Sequence, residues 1–143
     1  RIGSEILFAG GATACTDVTG FGLLGHLVEM AKPSEVDVEL ELQALPLLDG
    51  ALDCVRNGIF SSLQPQNVRL RRAIRGDANG GRESEILPLI FDPQTAGGLL
   101  ATVPEAEAGN CVETLRKAGY PTATIVGSIL PQSNHLEPIT LVG

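Results

Sequence analysis

Residues 15–26 read C-T-D-V-T-G-F-G-L-L-G-H, a segment in which Asp17, flanked by hydroxyl side chains, enters a glycine-rich turn that leads into a helix. From Gly20 to Lys32 apolar residues recur at i, i+3, i+4 and i+7, and Pro33 ends the pattern. Glycines at a helix N-terminus let backbone N–H groups approach an anion, and a carboxylate suits Mg²⁺. The segment predicts either a magnesium and phosphate turn or a plain helix N-cap in which Asp17 or Thr19 satisfies free amides.

A second glycine-rich segment, F-D-P-Q-T-A-G-G-L-L at residues 91–100, stands immediately before an apolar run. Its backbone could approach a phosphate, but on pattern alone a β-turn is favoured, because Asp-Pro followed by threonine and two glycines has ample turn chemistry. Asp17 is the candidate Mg²⁺ ligand. The candidate phosphate-side residues of the two segments are Thr16, Thr19, Gly20, Thr95, Gly97 and Gly98.

The first half of the chain predicts helices around one strand with two unlike faces. Residues 36–42 alternate apolar and acidic side chains, so Asp37, Glu39 and Glu41 are interpreted as a solvated polar face. Short helices are predicted over residues 49–56 and 66–75, and a mobile loop is predicted from Asp77 to Glu83. Residues 86–91 are interpreted as a helical turn.

The second half predicts a central strand at residues 98–103, followed by a helix that begins after Pro104. Glutamates in the first turn, basic residues in the last and Gly119 just beyond favour this helix. Residues 122–130 predict a further strand, and residues 139–142 a short edge strand. The fold class expected is α/β (α+β), with two or three layers in which helices pack on a mixed β-sheet.

Composition and charge favour a single folded domain and argue against a nucleic-acid-binding or membrane-spanning protein. The chain has 143 residues, of which 43% are hydrophobic and 19% charged, as expected for one folded domain. A net charge of −7 makes nucleic-acid binding unexpected, and no stretch is apolar and long enough to span a membrane. Cys15, Cys54 and Cys111 form no C-x-x-C pair, so we expect small buried thiols and a reducing cytoplasm. Because the chain begins at Arg1 without a signal pattern, we expect a piece of a longer protein.

Taken together, T-D-V-T-G-F-G-L-L-G-H and D-P-Q-T-A-G-G-L-L resemble the paired motifs of the C-terminal domain of the selenophosphate synthetase (selenide, water dikinase) family. The similarity extends over roughly residues 11–130. This family belongs to an ATP-binding superfamily with aminoimidazole ribonucleotide synthetase, the hydrogenase maturation protein that dehydrates a carbamoyl group, and thiamine monophosphate kinase. The resemblance implies the fold of the aminoimidazole ribonucleotide synthetase C-terminal domain.

The resemblance also implies a function for the parent protein. Members convert ATP, selenide and water into selenophosphate, AMP and orthophosphate with Mg²⁺, and Asp17 matches a magnesium ligand that joins carboxylates of the N-terminal domain around the ATP phosphates. The expected partners are therefore the chain's own N-terminal domain, ATP and selenide, and a second copy in a dimer. The nucleophilic cysteine or selenocysteine, its neighbouring lysine and the ATP-covering segment belong to the missing half, so this chain alone is expected to be inactive. Ala96 departs from the serine that many relatives carry.

Two alternatives remain open on the sequence. The chain could be the equivalent domain of another ATPase of the superfamily, or a non-enzymatic interaction domain that has kept the fold.

A cluster of arginines could bind phosphate, tRNA or a partner enzyme, although a solvated helix surface is the default for Arg69, Arg71, Arg72 and Arg75. His26 could touch substrate, but helix packing or an interdomain hydrogen bond is favoured.

Overall fold

In the computed structural model, which describes residues 1–78 and 83–143, five α-helices and six strands alternate with short 3₁₀ turns. The α-helices are α1 (Ile2–Ala9), α2 (Gly22–Ala31), α3 (Ala51–Arg56), α4 (Gln64–Asn67) and α5 (Glu105–Lys117). The strands are β1 (Ala14–Asp17), β2 (Val36–Glu41), β3 (Ile74–Ala78), β4 (Leu99–Thr102), β5 (Gly127–Pro131) and β6 (Ile139–Val142). The 3₁₀ helices are Leu42–Ala44, Val68–Ala73 and Leu87–Phe91. The predicted α/β class with a mixed sheet and packed helices is confirmed.

A four-stranded mixed sheet in the order β3-β6-β2-β5 carries much of the core. β6 runs parallel to β3 and β2, and β5 runs antiparallel to β2. The prediction that β6 is an edge strand is wrong, because it pairs on both sides and its side chains Ile139 and Leu141 are fully buried. Four residues are too few for periodicity to reveal that a strand lies inside a sheet.

Helix α2 packs its predicted apolar face into the same core. Leu24, Leu27, Val28 and Ala31 are all buried, as the spacing of these residues predicts. The 3₁₀ helix at Leu87–Phe91 packs against α2 through buried Ile90 and Phe91, which confirms the helical turn predicted there. The short helix predicted over residues 49–56 is confirmed as α3.

A separate two-stranded antiparallel sheet joins β1 to β4. The prediction of a central strand at residues 98–103 is therefore right about the strand and wrong about its position. β1 and α1 were not predicted. β1 has only four residues, which are alternately half-buried and exposed, so its sequence carries no run of buried apolar side chains. Helix α5 packs against α1 and is confirmed, with Gly119 at φ +99° and the Tyr120 N–H donating to the Leu115 carbonyl at 3.0 Å.

Two further predicted elements are wrong in extent. The helix predicted over residues 66–75 divides into α4, a 3₁₀ helix and strand β3, because Ile74 pairs with Ile139 of β6 and is buried in the sheet. The strand predicted over residues 122–130 begins only at Gly127, whose α-carbon lies so close to the Glu39 carbonyl oxygen that a side chain would overlap it. The predicted loop at residues 77–83 lies largely outside the described residues, although β3 extends through Ala78.

Among the described residues, no helix combines the length and apolar character needed to cross a membrane.

Candidate functional site

The two glycine-rich segments lie side by side. β1 ends at Asp17, which pairs with Leu99 at the start of β4. Beyond the strands, the Val18 N–H donates to the Gly98 carbonyl at 2.9 Å, and the Gln94 N–H donates to the Thr19 carbonyl at 3.0 Å. Segments far apart in the chain therefore form one continuous backbone surface beside Asp17.

The glycines of this surface have different reasons to be glycine. A Cβ on Gly97 would overlap the Val18 carbonyl oxygen, so the close approach of the two segments requires glycine there. Gly22 has φ +70°, and its α-carbon lies against the backbone of Ile90 and Phe91. Gly20 and Gly98, by contrast, border open space. Of the three glycines predicted to lie near phosphate, Gly20 and Gly98 keep room for an anion, whereas Gly97 is explained by packing between the segments.

The predicted threonines also differ in what their hydroxyls contact. The Thr16 hydroxyl donates to the Asp17 carbonyl at 3.2 Å. The Thr19 hydroxyl lies 3.1 Å from His26 Nε2 and is therefore already engaged. Thr95 is exposed, and within the part of the chain that the structure describes its hydroxyl has no hydrogen-bond partner. Thr95 is thus the freest of the three hydroxyls to meet a ligand.

His26 is buried within α2 and contacts three side chains. Besides Thr19, its ring lies 3.2 Å from a Glu29 carboxylate oxygen through Nδ1, and 5.5 Å from the Phe21 ring. These contacts agree with the packing role favoured for His26 and orient the turn that follows Asp17.

The Asp17 carboxylate faces outward. Asp17 is exposed, and among residues 1–78 and 83–143 its side chain has no hydrogen-bond partner, so the helix-cap interpretation does not apply to it. Within the same described residues, no group of three or more His, Cys, Asp or Glu side chains could enclose a metal ion. One outward carboxylate fits Mg²⁺, which usually takes one or two protein carboxylates and completes its shell with phosphate oxygens and water. Asp17 could hold such an ion as one ligand among several.

Sequence reasoning missed two polar residues beside the segments. Asn67, in α4, is buried and donates from Nδ2 to the carbonyls of Gly20 and Phe91. Asp92, the second residue of the second segment, is half-buried, and this burial raises the pKa of its carboxyl above the ordinary value. No pattern marks Asn67, because nothing in the local sequence shows which backbone carbonyls a buried amide will reach. The Asp-Pro pair at Asp92 was interpreted only as turn chemistry.

The predicted buried role of the cysteines is wrong for two of them. Cys15 and Cys54 are exposed, and only Cys111 is buried. Cys15 lies on the outward face of β1, and Cys54 lies in the short exposed helix α3. Partial burial and then the charge of Asp17 raise the pKa of the Cys15 thiol, so this side chain is a poor nucleophile.

Two charged clusters also differ from expectation. Asp37 is not solvated: it is buried and accepts a hydrogen bond from Arg75 Nη1 at 2.8 Å and from the Ser133 N–H at 3.2 Å. Arg75 therefore belongs to an ion pair on β3 rather than to a helix surface. The other three arginines are exposed as expected, namely Arg69, Arg71 and Arg72.

Comparison with known proteins supplies the family. Residues 2–135 match the family described as AIR synthase related protein, C-terminal domain. The chain is 39% identical over 119 residues to the selenide, water dikinase of Clostridioides difficile (strain 630), with 82% of this chain and 33% of that protein covered. It is 38% identical over 149 residues to that of Rhizobium meliloti (strain 1021), with 98% of this chain and 40% of that protein covered. The chain thus spans between a third and two-fifths of the length of these relatives.

Two solved structures share the fold. The hydrogenase maturation protein HypE has a TM-score of 0.59 at 18% identity, over 89% of this chain and 32% of that chain. HypE in complex with ATP has a TM-score of 0.64 at 16% identity, over 97% of this chain and 35% of that chain. At these identities the likeness supports the fold alone. The match across residues 2–135 identifies the chain as a member of the AIR synthase related protein, C-terminal domain family.

Proposed function

We propose that this chain is the C-terminal domain of a selenide, water dikinase, an enzyme that makes selenophosphate, AMP and orthophosphate from ATP, selenide and water. One observation supports it most: the two glycine-rich segments meet through backbone hydrogen bonds beside an outward Asp17 carboxylate that has no hydrogen-bond partner among the described residues. The two relatives described above that carry this name are 39% and 38% identical to the chain.

In this proposal the domain supplies a positioning surface for the triphosphate. Asp17 would hold Mg²⁺ together with carboxylates of an N-terminal domain, and the bound ion would supply positive charge next to the transferring phosphoryl group. The backbone at Gly20 and Gly98 lies open for phosphate oxygens, and the Thr95 hydroxyl, which has no partner in the described part of the chain, can donate to one. Thr16, Thr19 and Gly97 keep these groups in place. The nucleophile lies in the N-terminal domain, so the chain alone is inactive.

The cellular location and the oligomeric state that we propose are those expected from the sequence and from the family resemblance. The enzyme acts in the cytoplasm as a dimer formed mainly by its N-terminal halves. The complex of HypE with ATP lends support to nucleotide binding by the shared fold. A second candidate, the equivalent domain of another ATPase of the superfamily, is favoured only by this likeness of fold. It differs in its acceptor, since its ATP hydrolysis would not depend on selenide.

The experiment joins this chain to the N-terminal half of the proposed parent enzyme and measures selenophosphate formation by phosphorus NMR. We expect a selenide-dependent product, and Asp17→Ala should reduce its rate by at least about tenfold, a typical loss when support for a metal is removed. Asp49→Ala is the matched control, because Asp49 is exposed and lies outside both glycine-rich segments. Selenide-independent ATP hydrolysis would favour the second candidate, and equal rates for the two variants would refute the role of Asp17.

A further inference from the structure

A buried amide lies between the two glycine-rich segments and belongs to neither. Asn67 is 6% exposed, and its Nδ2 donates to the Gly20 carbonyl at 2.9 Å and to the Phe91 carbonyl at 3.0 Å. Both partners are acceptors, so only the NH₂ group, with its two hydrogens, can satisfy them together. One side chain therefore connects a residue 47 positions before it to one 24 positions after it.

The two carbonyls that accept from Asn67 belong one to each glycine-rich segment. Gly20 lies in the turn directly after Asp17 and Thr19, and Phe91 is the first residue of the segment that carries Thr95 and Gly98. The backbone hydrogen bonds from Val18 and Gln94 join the segments on the side of the strands, and Asn67 joins them on the side of α4. The spacing between the segments is thus set from both sides.

We propose that Asn67 is a positioning residue of the phosphate and magnesium site. It holds the turn that follows Asp17 at a constant distance from the segment that carries Thr95 and Gly98. The identity of the ligand rests on the function proposed above, whereas the positioning rests on the two hydrogen bonds of Asn67.

The chain contains a matched control for this residue. Gln64 lies in the same helix, is also 6% exposed, and donates from Nε2 to the Pro88 carbonyl at 2.7 Å, outside both segments. Asn67→Asp and Gln64→Glu each replace a buried amide by an acid of the same shape and turn a donor towards carbonyl oxygen into an acceptor. Asn67→Asp disturbs two such hydrogen bonds and Gln64→Glu one, so the variants are compared by which amides change within each of them and not by the total loss of stability.

The first measurement is amide hydrogen exchange by NMR on the 143-residue chain. In Asn67→Asp the N–H groups of Val18 and Gln94, which bridge the segments, should exchange about tenfold faster, as expected when a local hydrogen bond is lost. The N–H of Glu41, bonded to the Val126 carbonyl in a different part of the fold, serves as the reference. Gln64→Glu should leave the ratio of the bridging rates to the Glu41 rate unchanged.

The second measurement is the Mg²⁺ dependence of selenophosphate formation in the joined enzyme. Asn67→Asp should raise the Mg²⁺ concentration for half-maximal rate by about 10- to 100-fold, with a smaller change at saturating Mg²⁺, and Gln64→Glu should not. If Asn67→Asp does not fold, the pair Asn67→Ala and Gln64→Ala is measured by the same criteria.

Equal exchange ratios in the two variants would overturn the positioning role. If the bridging amides respond as expected while the unmutated enzyme makes no selenophosphate, the positioning stands and the proposed function fails. If the enzyme is active and depends on Asp17, but Mg²⁺ dependence is the same in both variants, the proposed function stands and the role of Asn67 in it fails.

Discussion

Alanine should destabilise the chain strongly at Gly97 and hardly at all at the adjacent Gly98. In Gly97→Ala the new methyl group would overlap the Val18 carbonyl oxygen, which is backbone and cannot rotate away. Overpacking of this kind costs about 1–3 kcal/mol. Separating the segments to relieve it would also weaken the hydrogen bond from Val18 N–H to the Gly98 carbonyl, worth about 0.5–1.5 kcal/mol. We therefore expect Gly97→Ala to lower the free energy of unfolding by about 1.5–4.5 kcal/mol.

Gly98→Ala is the control, because a Cβ at Gly98 meets nothing within 4 Å. Its free energy of unfolding should stay within about 0.5 kcal/mol of the unmutated chain. Urea unfolding of the 143-residue chain measures both, and for a slope of about 2 kcal/mol per molar the Gly97→Ala midpoint should fall by about 1–2 M. Equal midpoints for Gly97→Ala and the unmutated chain, or an equal loss in both variants, would show that the segments do not approach as closely as described.

Two further predictions concern titratable side chains. The hydroxyl of Ser133, and then Arg75, hold the pKa of the Asp37 carboxyl below its ordinary value of 3.8. The stabilisation is therefore present above that pH and is lost as the pH falls towards the lower folded-state pKa. Between about pH 5 and pH 2 the free energy of unfolding should fall less steeply in Asp37→Asn than in the unmutated chain, as measured by urea unfolding at each pH; parallel curves would contradict this. Thiol alkylation followed by mass spectrometry should modify exposed Cys15 in the folded chain, slowly near neutral pH because its thiol pKa is raised, and buried Cys111 only after unfolding. Modification of Cys111 at the rate of Cys15 in the folded chain would be inconsistent with this burial.

Patterns of neighbouring residues correctly predicted the helices α2 and α5. The apolar spacing of Leu24 and Ala31 predicted α2, and the end charges and Gly119 predicted α5, because helix periodicity and capping depend on residues only a few positions apart. The resemblance of the two glycine-rich segments also predicted the family. The outward Asp17 is consistent with its predicted role as a metal ligand, and the ligand itself remains a prediction.

Relations between distant residues could not be predicted in this way. The interior position of β6, the burial of Asp37 against Arg75 and the bridge that Asn67 makes between two carbonyls all depend on which segments become neighbours. Hydrogen bonds and ion pairs act over a few ångströms in space, whereas a sequence records only distance along the chain. Residue order and chemistry thus predicted α2, α5 and the family, whereas packing decides that Asp17 faces outward, which glycine must be glycine and which buried amide bridges the two segments.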